Sequence, residues 1–183
     1  MERLYYNGPE IEKYSIIFKS VREDIYILFL LFTKLESDKY NKLNKDIYKI
    51  RVKDLFKNGK FLDLNNHMLN QEDKFFIENY LNNRRLNEDD YILKTVRGNI
   101  LNKNTIYTTK TYIDKYNLEN NDKLKYLNVN NLIKTYYYNL LITKKSLKIV
   151  SNRLHMSTKQ TMNFLGISIE DLDELISSDN KFS

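Results

Sequence analysis

The sequence predicts a mainly helical α+β domain with a small antiparallel sheet, and three observations lead to this class. Apolar residues recur at helical spacing over most of the 183 residues, whereas alternation is confined to two short segments. One proline and four glycines make long linkers unexpected. With 42% hydrophobic and 30% charged residues, the chain can bury a core. We therefore predict a single domain over residues 1–183.

Apolar spacing places most of the chain in helices, and serines mark where several of them begin. Ser146 and Ser157 stand at N-cap positions, and Ser168 with Asp171 has the pattern of a capping box. The apolar run 25–32 is too short for a bilayer, which needs about 20 residues, and predicts a buried helix. The predicted helices lie near 9–19, 22–34, 38–48, 71–84, 103–116, 129–142, 145–154, 157–165 and 169–177.

Two segments interrupt the helical pattern and predict the sheet. The first, 50–64, alternates apolar and polar residues and contains the pair Asn58-Gly59, which favours a hairpin or a three-stranded sheet. The second, 89–99, predicts a short strand and a turn at Gly98. We expect an antiparallel sheet built from parts of 50–64 and 91–96.

Composition excludes several kinds of site. The chain has no cysteine, so disulfides and thiolate metal sites are excluded. Its two histidines, His67 and His155, belong to no cluster with metal-ligand spacing, and His67 is interpreted as a loop residue. We expect no metal or cofactor. The first residues show no apolar signal core, so a cytoplasmic protein without membrane contact is the expectation.

Charge is unevenly distributed along the chain. The net charge is +6, but 94–159 alone carries 13 Lys or Arg and three acids, a local +10. The segment 170–179 carries five acids and no base. A basic centre indicates a polyanionic partner, whereas solvated lysines on helix surfaces would give the same count without one.

Segments spread over 9–176 resemble, in order, the catalytic domain of the tyrosine recombinase (phage integrase) family. The likeness is carried by the opening helices PEIEKYSIIFKSVREDIYILFLLFTKL, then IRVKDL, then YILKTVRGNILNKNTIYTTKTYIDKY, and finally NVNNLIKTYYYNLLITKKSLKIVSNRLHMSTKQTMNF. The resemblance implies that family's mainly helical catalytic fold. The family's separate N-terminal DNA-clamping domain has no counterpart here, so a lone catalytic-type domain is implied.

The family's chemistry, as the resemblance implies it, uses a tyrosine that attacks a DNA phosphodiester. Two arginines and a histidine/lysine set grip the phosphate oxygens, and a hairpin lysine protonates the leaving oxygen. Such donors must lie where charge develops, and a guanidinium can hold two phosphate oxygens at once.

The matched positions lack these groups. The first arginine position holds Glu36, where a carboxylate would repel phosphate, and the second holds Ile133. Asn130 occupies a histidine position. Two registers remain at the end of the chain. One places Met156 at the second histidine and Leu165 at the tyrosine, and the other places His155 and Phe164 there.

Other parts of the catalytic set are matched ambiguously. The hairpin lysine corresponds to Lys57 or Lys60. The run Tyr136-Tyr137-Tyr138 raises the alternative of a relocated nucleophile, but it lies in a helical stretch where at least one ring should be buried. We predict a recombinase-like fold that is not an enzyme.

DNA binding can persist where catalysis is lost. In the family, the helix after the glycine turn enters the major groove, and here it corresponds to 102–116. Lys103, Asn104, Tyr107 and Lys110 fall largely on one face of that helix. In the alternative, the helix is simply amphipathic, with Ile106, Tyr107 and Ile113 in the core. The predicted DNA contacts are Arg97, Lys103, Asn104, Tyr107, Lys110, Lys134, Arg153 and Lys159.

The sequence thus predicts a catalytically inactive, DNA-binding protein, an accessory or regulatory factor in mobile-element, phage or plasmid DNA maintenance. Double-stranded DNA is the expected partner. Two alternatives stay open. Residues 145–165 match a helix-turn-helix transcriptional regulator. The chain also fits an interaction subunit that packs on an active recombinase, or on a second copy of itself, through its C-terminal helix.

Overall fold

The computed structural model describes residues 5–35, 47–58, 60–62, 68–95 and 97–177, and it is mainly helical. The helices are α1 (Gly8–Val21), α2 (Glu23–Lys34), α3 (Val52–Leu55), α4 (Gln71–Asn83), α5 (Lys110–Asn120), α6 (Val129–Lys144), α7 (Leu147–Leu154), α8 (Thr158–Leu165) and α9 (Ile169–Ser177). Two 3₁₀ helices span Ile47–Lys49 and Lys103–Thr109, and strands β1 (Phe56–Lys57) and β2 (Lys60–Phe61) form a hairpin. The predicted class, mainly helical with a small antiparallel sheet, is confirmed.

The described residues cluster into two compact units. One unit spans Gly8–Val129, and we call it the central unit. The other, which we call the terminal unit, joins the residues before Gly8 to those from Asn130 onward. The prediction of a single domain stays a prediction.

Helix α2 forms the core of the central unit. The run from Asp24 to Thr33 is buried throughout, as the apolar stretch 25–32 predicted. Asp24 lies in this buried run because the Arg22 guanidinium pairs with its carboxylate at 2.6 Å. The Phe29 ring lies 6.1 Å from that of Phe18 on α1, and the Tyr26 ring meets Phe76 on α4 edge-on at 4.6 Å. These aromatic contacts join α1, α2 and α4.

The hairpin is shorter than predicted. Its register pairs Phe56 with Phe61 and Lys57 with Lys60, and Asn58 takes a left-handed φ of 53° in the turn. The strand prediction over 91–96 is wrong in extent. The described residues of that segment, 91–95, make isolated bridges, Arg51 with Tyr91 and Lys94 with Ile100, and the Ile92 amide donates to the Ile50 carbonyl at 2.9 Å.

A helical turn explains why the first segment does not continue as a strand. The Arg51 amide donates to the Asp54 carboxylate at 2.8 Å, and the Asp54 amide donates to the Arg51 carbonyl at 3.0 Å. These bonds begin α3, so the alternating residues 52–55 coil before the hairpin starts.

In the terminal unit, Tyr5 and Tyr6 contact α6. The Tyr6 amide donates to the buried Thr135 hydroxyl at 2.9 Å, and the Tyr5 ring stacks on Tyr138 at 3.6 Å. Helix α6 buries Leu132 and Leu140 as its apolar spacing predicted. Most of the predicted helix 38–48 lies outside the described residues, and its last residues belong to the first 3₁₀ helix.

Candidate nucleic-acid interface

Helices α7 and α8 are joined by three residues and have well-formed ends. Ser146 accepts the Ile149 amide at 3.4 Å as the N-cap of α7, and Ser157 accepts the Gln160 amide at 3.2 Å as that of α8. Both predicted caps are confirmed, as is the Ser168–Asp171 capping box before α9. Each serine and the amide that it accepts are three residues apart, so local hydrogen bonding sets where these helices begin.

His155 reverses the chain between the two helices. It takes left-handed angles, φ 53° and ψ 40°. Its amide bonds to the Asn152 carbonyl at 3.2 Å, and the Met156 amide bonds to the Ser151 carbonyl at 3.0 Å. These two bonds form a Schellman motif, which glycine usually completes. The exposed His155 therefore has a backbone role in ending α7, whatever its side chain contacts.

Both helices bury two side chains, one of them small. Val150 and Ser151 are buried in α7, and Thr161 and Leu165 are buried in α8. The Thr161 hydroxyl donates to the Ser157 carbonyl at 3.0 Å, so its polar atom is satisfied within its own helix. Each helix therefore buries one small and one larger side chain, and its exposed positions face solvent.

The solvent-facing side of α8 is polar. Thr158, Lys159, Gln160 and Asn163 are exposed, and Lys159 and Asn163 are four residues apart on one face. The Gln160 side chain is partly occupied, because its oxygen accepts the Ser157 amide at 2.9 Å. Asn163 was not among the predicted contacts, although its spacing from Lys159 would have indicated it.

Lys134 lies over the Phe164 ring, with its ammonium 5.2 Å from the ring centroid. Burial lowers the pKa of Lys134. None of the described carboxylates lies within ion-pair distance of it, so the aromatic face is the described group that stabilises its charge. The Tyr137 ring packs edge-on against the same Phe164 at 6.3 Å. The structure thus brings together the residue beside the second arginine position and a candidate for the tyrosine position.

The other positions matched to the catalytic set differ in exposure or lie outside the described residues. Asn130 is exposed at the start of α6, and Ile133 is half-buried. Met156 is half-buried and Leu165 is fully buried. Glu36 and His67 lie outside the described residues.

The tyrosine run is largely buried. Tyr136 and Tyr137 are 3% and 1% exposed, and the half-buried Tyr138 stacks on Tyr5. The expectation that at least one ring is buried is confirmed. Lys57 and Lys60, the candidate hairpin lysines, face each other across the strand pair and are both exposed.

The predicted groove helix 103–116 is not one regular helix. Lys103–Thr109 is a 3₁₀ helix, and α5 begins only at Lys110. The side chain of Asn102 starts the 3₁₀ helix by accepting the Asn104 amide at 2.9 Å. Burial of Ile106 and Thr109, with the Thr109 hydroxyl bonded to the Ile106 carbonyl at 2.5 Å, holds the tighter winding.

The tighter winding changes which predicted contacts share a face. With three residues per turn, Asn104, Tyr107 and Lys110 line up along one edge, which we call the 3₁₀ ridge. All three are exposed, and Tyr107 is 76% exposed. The amphipathic-helix alternative, which placed Tyr107 in the core, is therefore wrong for this residue. Ile106 and Ile113 are buried, as that alternative expected. The Lys103 side chain is outside what the structure describes.

The predicted basic contacts divide between the two units. Arg97 is exposed in the turn at Gly98, whose φ of 79° confirms that turn, and it belongs with the 3₁₀ ridge to the central unit. Lys134, the half-buried Arg153 and the exposed Lys159 belong to the terminal unit. Each unit therefore contains a subset of the predicted basic contacts.

Neither a metal site nor a membrane span is found in the part of the chain that the structure describes. That part contains no group of three or more His, Asp or Glu side chains able to hold a metal ion. Its helices include none that is both long and apolar enough to cross a membrane.

Comparisons with known proteins return no match to a protein-family model, to a curated protein or to a solved structure. The resemblance to tyrosine recombinases therefore stays a prediction.

Proposed function

We propose that this chain binds double-stranded DNA in a sequence-dependent manner and that α7 and α8 act as a helix-turn-helix. The observation that carries the proposal is the pair of eight-residue helices joined by a three-residue turn, with Ser151 and Thr161 buried and the outer face of α8 polar. In a helix-turn-helix, the second helix enters the major groove and its first residues contact base edges.

The chemistry of α8 suits that role. Lys159 and Asn163 are residue types that hydrogen-bond guanine and adenine edges in the major groove. The terminal unit adds Lys134, Arg153 and the lysines at the end of α6, which supply charge for phosphates. We infer that Lys159 and Asn163 select sequence and that Lys134 and Arg153 position the duplex.

A second candidate keeps the recombinase-like interpretation, and one contact favours it. Lys134 and Phe164 are 30 residues apart in sequence and meet in the fold, as a phosphate-gripping residue and the tyrosine position would. Phe164 has no nucleophilic atom, and Ile133 offers no charge. The protein would then be an inactive accessory factor in mobile-element, phage or plasmid DNA maintenance, contacting duplex DNA through the 3₁₀ ridge.

Binding-site selection from random duplexes separates the two candidates. If α8 is the reader, Lys159→Ala and Asn163→Ala should each relax preference at one base pair, at a cost of about 1–3 kcal/mol. Asn104→Ala should then leave preference unchanged. Asn83→Ala, an exposed asparagine on α4, is the matched control. The reverse pattern, with Asn104 alone controlling preference, would favour the recombinase-like candidate.

Salt dependence tests the phosphate contacts. The logarithm of affinity should fall with the logarithm of salt by about 0.9 per phosphate contacted, and Lys134→Ala should reduce that slope by about one. Lys74→Ala is a matched control, since Lys74 also lies on a helix and over a phenylalanine, 5.8 Å from the Phe61 ring. If no duplex is bound at low salt, both DNA-binding candidates are wrong and the interaction-subunit alternative is favoured.

Strand cleavage is expected to be absent. Incubation with a suicide duplex, followed by a denaturing gel, should show no covalent protein–DNA adduct. An adduct that survives Phe164→Ala but is lost when one of Tyr136, Tyr137 or Tyr138 is changed to phenylalanine would establish a relocated nucleophile instead.

A further inference from the structure

The central unit carries two exposed tyrosines beside a lysine. Tyr107 is 76% exposed on the 3₁₀ ridge, and Tyr126 is 49% exposed on the segment before α6. Lys110, one turn from Tyr107, places its ammonium 4.9 Å from the Tyr126 ring. We call Tyr107, Lys110 and Tyr126 the aromatic–basic cluster.

The Tyr126 ring is held by a hydrogen bond, and the backbone that carries Tyr107 is anchored by its buried neighbours. Buried Ile106 and Thr109 anchor the 3₁₀ helix on either side of Tyr107 and leave its ring outward. The Tyr126 hydroxyl donates to the Asp114 carboxylate at 2.6 Å, which fixes the ring orientation and raises the pKa of that phenol. The oriented Tyr126 ring therefore loses little conformational entropy when a planar partner stacks on it.

The cluster lies in a basic part of the chain. Lys110 has no ion-pair partner among the described carboxylates, and Arg97 is exposed nearby in sequence. The acids of α5 and its following turn are engaged, since Asp114 accepts Tyr126, Glu119 pairs with Lys115 and Asp122 pairs with Lys13. Asp114 keeps its negative charge while it accepts from Tyr126, so the cation of the cluster is Lys110, whose ammonium lies beside the exposed Tyr126 ring.

We propose that the aromatic–basic cluster binds an unpaired nucleic-acid strand. Exposed aromatic rings beside cations are what single-strand binding requires, because any base can stack on a ring while a lysine meets the phosphate. A duplex keeps its bases stacked on each other and offers only edges and phosphates, so it has no face for Tyr107. This surface differs from α8 in both its residues and its ligand, and it lies in the other unit.

Fluorescence anisotropy with labelled oligonucleotides tests the proposal on the full chain. Probes are a dT oligomer, an rU oligomer, an abasic oligomer of equal length and charge, and a duplex. We expect the dT or rU strand to bind more tightly than the abasic strand at equal salt, and their comparison identifies DNA or RNA as the source. Equal affinity for the abasic strand would overturn the proposal, since charge alone would then explain binding.

Substitutions at Tyr107 test whether the aromatic–basic cluster is the binding site for the unpaired strand. Tyr107→Ala should weaken binding of the unpaired strand by about 5- to 150-fold, and Tyr107→Phe should retain it because stacking needs the ring and not the hydroxyl. Phe75→Ala is the control, since Phe75 is 63% exposed but lies one turn from both Glu72 and Glu78. An equal loss in Phe75→Ala, or no loss in Tyr107→Ala, would overturn the proposal.

The duplex probe keeps this proposal separate from the proposed function. Tyr107→Ala should leave duplex affinity unchanged if α8 is the duplex reader. If Tyr107→Ala weakens the binding of duplex and of single strand alike, the 3₁₀ ridge contacts duplex DNA and the single-strand proposal is wrong. If duplex binding is absent while the dT strand still depends on Tyr107, the helix-turn-helix proposal fails and this one stands.

Discussion

Replacing His155 with glycine tests the turn between α7 and α8. A left-handed conformation costs an L-residue about 1–2 kcal/mol, with histidine toward the lower end because it is tolerated there. Glycine removes that cost but loses about 0.5–1 kcal/mol more backbone entropy on folding. With φ at 53° and the imidazole exposed, little packing is lost. We therefore expect His155→Gly to raise the free energy of unfolding by about 0.5 kcal/mol.

Urea denaturation measures this change, and the control is a glycine at a helical position. Lys148→Gly, at an exposed site within α7, should lower the free energy of unfolding by about 0.5–1 kcal/mol. The two glycine substitutions lie seven residues apart and should have opposite signs. If His155→Gly destabilises the protein as much as Lys148→Gly does, the left-handed turn is not the conformation of the folded chain.

The same variant also bears on function. If α7 and α8 form a helix-turn-helix, His155 serves the backbone, and His155→Gly should keep its duplex affinity. If His155 instead occupies the phosphate-gripping histidine position, the variant should lose affinity and part of its salt dependence. Stability and affinity measured on one protein sample therefore separate the two roles.

Further outcomes concern stability. Burial raises the pKa of Tyr48 and Tyr80 to about 12. The folded chain therefore keeps protons that an unfolded tyrosine releases near pH 10. The free energy of unfolding should fall between about pH 10 and 12. Tyr80→Phe should cost about 1 kcal/mol in urea denaturation at pH 7, because its hydroxyl bonds the Ile92 and Lys94 carbonyls at 3.0 and 3.2 Å. Tyr48→Phe should be neutral or stabilising, since its buried hydroxyl has no described partner; a loss equal to that of Tyr80→Phe would contradict this. Ser157→Ala should lower the free energy of unfolding by about 1 kcal/mol through loss of the α8 cap, and an unchanged urea midpoint would argue against that cap.

Short-range interactions explain what could be predicted from the sequence. The caps at Ser146, Ser157 and Ser168 bond to amides three residues away, so each pattern contains both partners. The hairpin turn that contains Asn58 joins adjacent strands for the same reason. Helices with a clear apolar period therefore appear where the sequence places them.

Candidate sites were harder to predict, because they depend on residues that are distant in sequence. No pattern near Phe164 indicates that Lys134 lies over its ring. Lysine and asparagine at helical spacing occur on several helices of this chain, so residue type alone does not distinguish the α8 face from the 3₁₀ ridge.

The sequence by itself determined the helical class, the caps and the buried apolar run of α2, because each depends on interactions within a few residues. Only the tertiary structure decided that 103–109 winds as a 3₁₀ helix, which places Tyr107 in solvent while Ile106 and Thr109 are buried. It also decided that the described residues 91–95 make isolated bridges, Arg51 with Tyr91 and Lys94 with Ile100, and form no continuous strand. Both outcomes depend on packing between distant segments, which outweighs the small local preference for one backbone conformation over another.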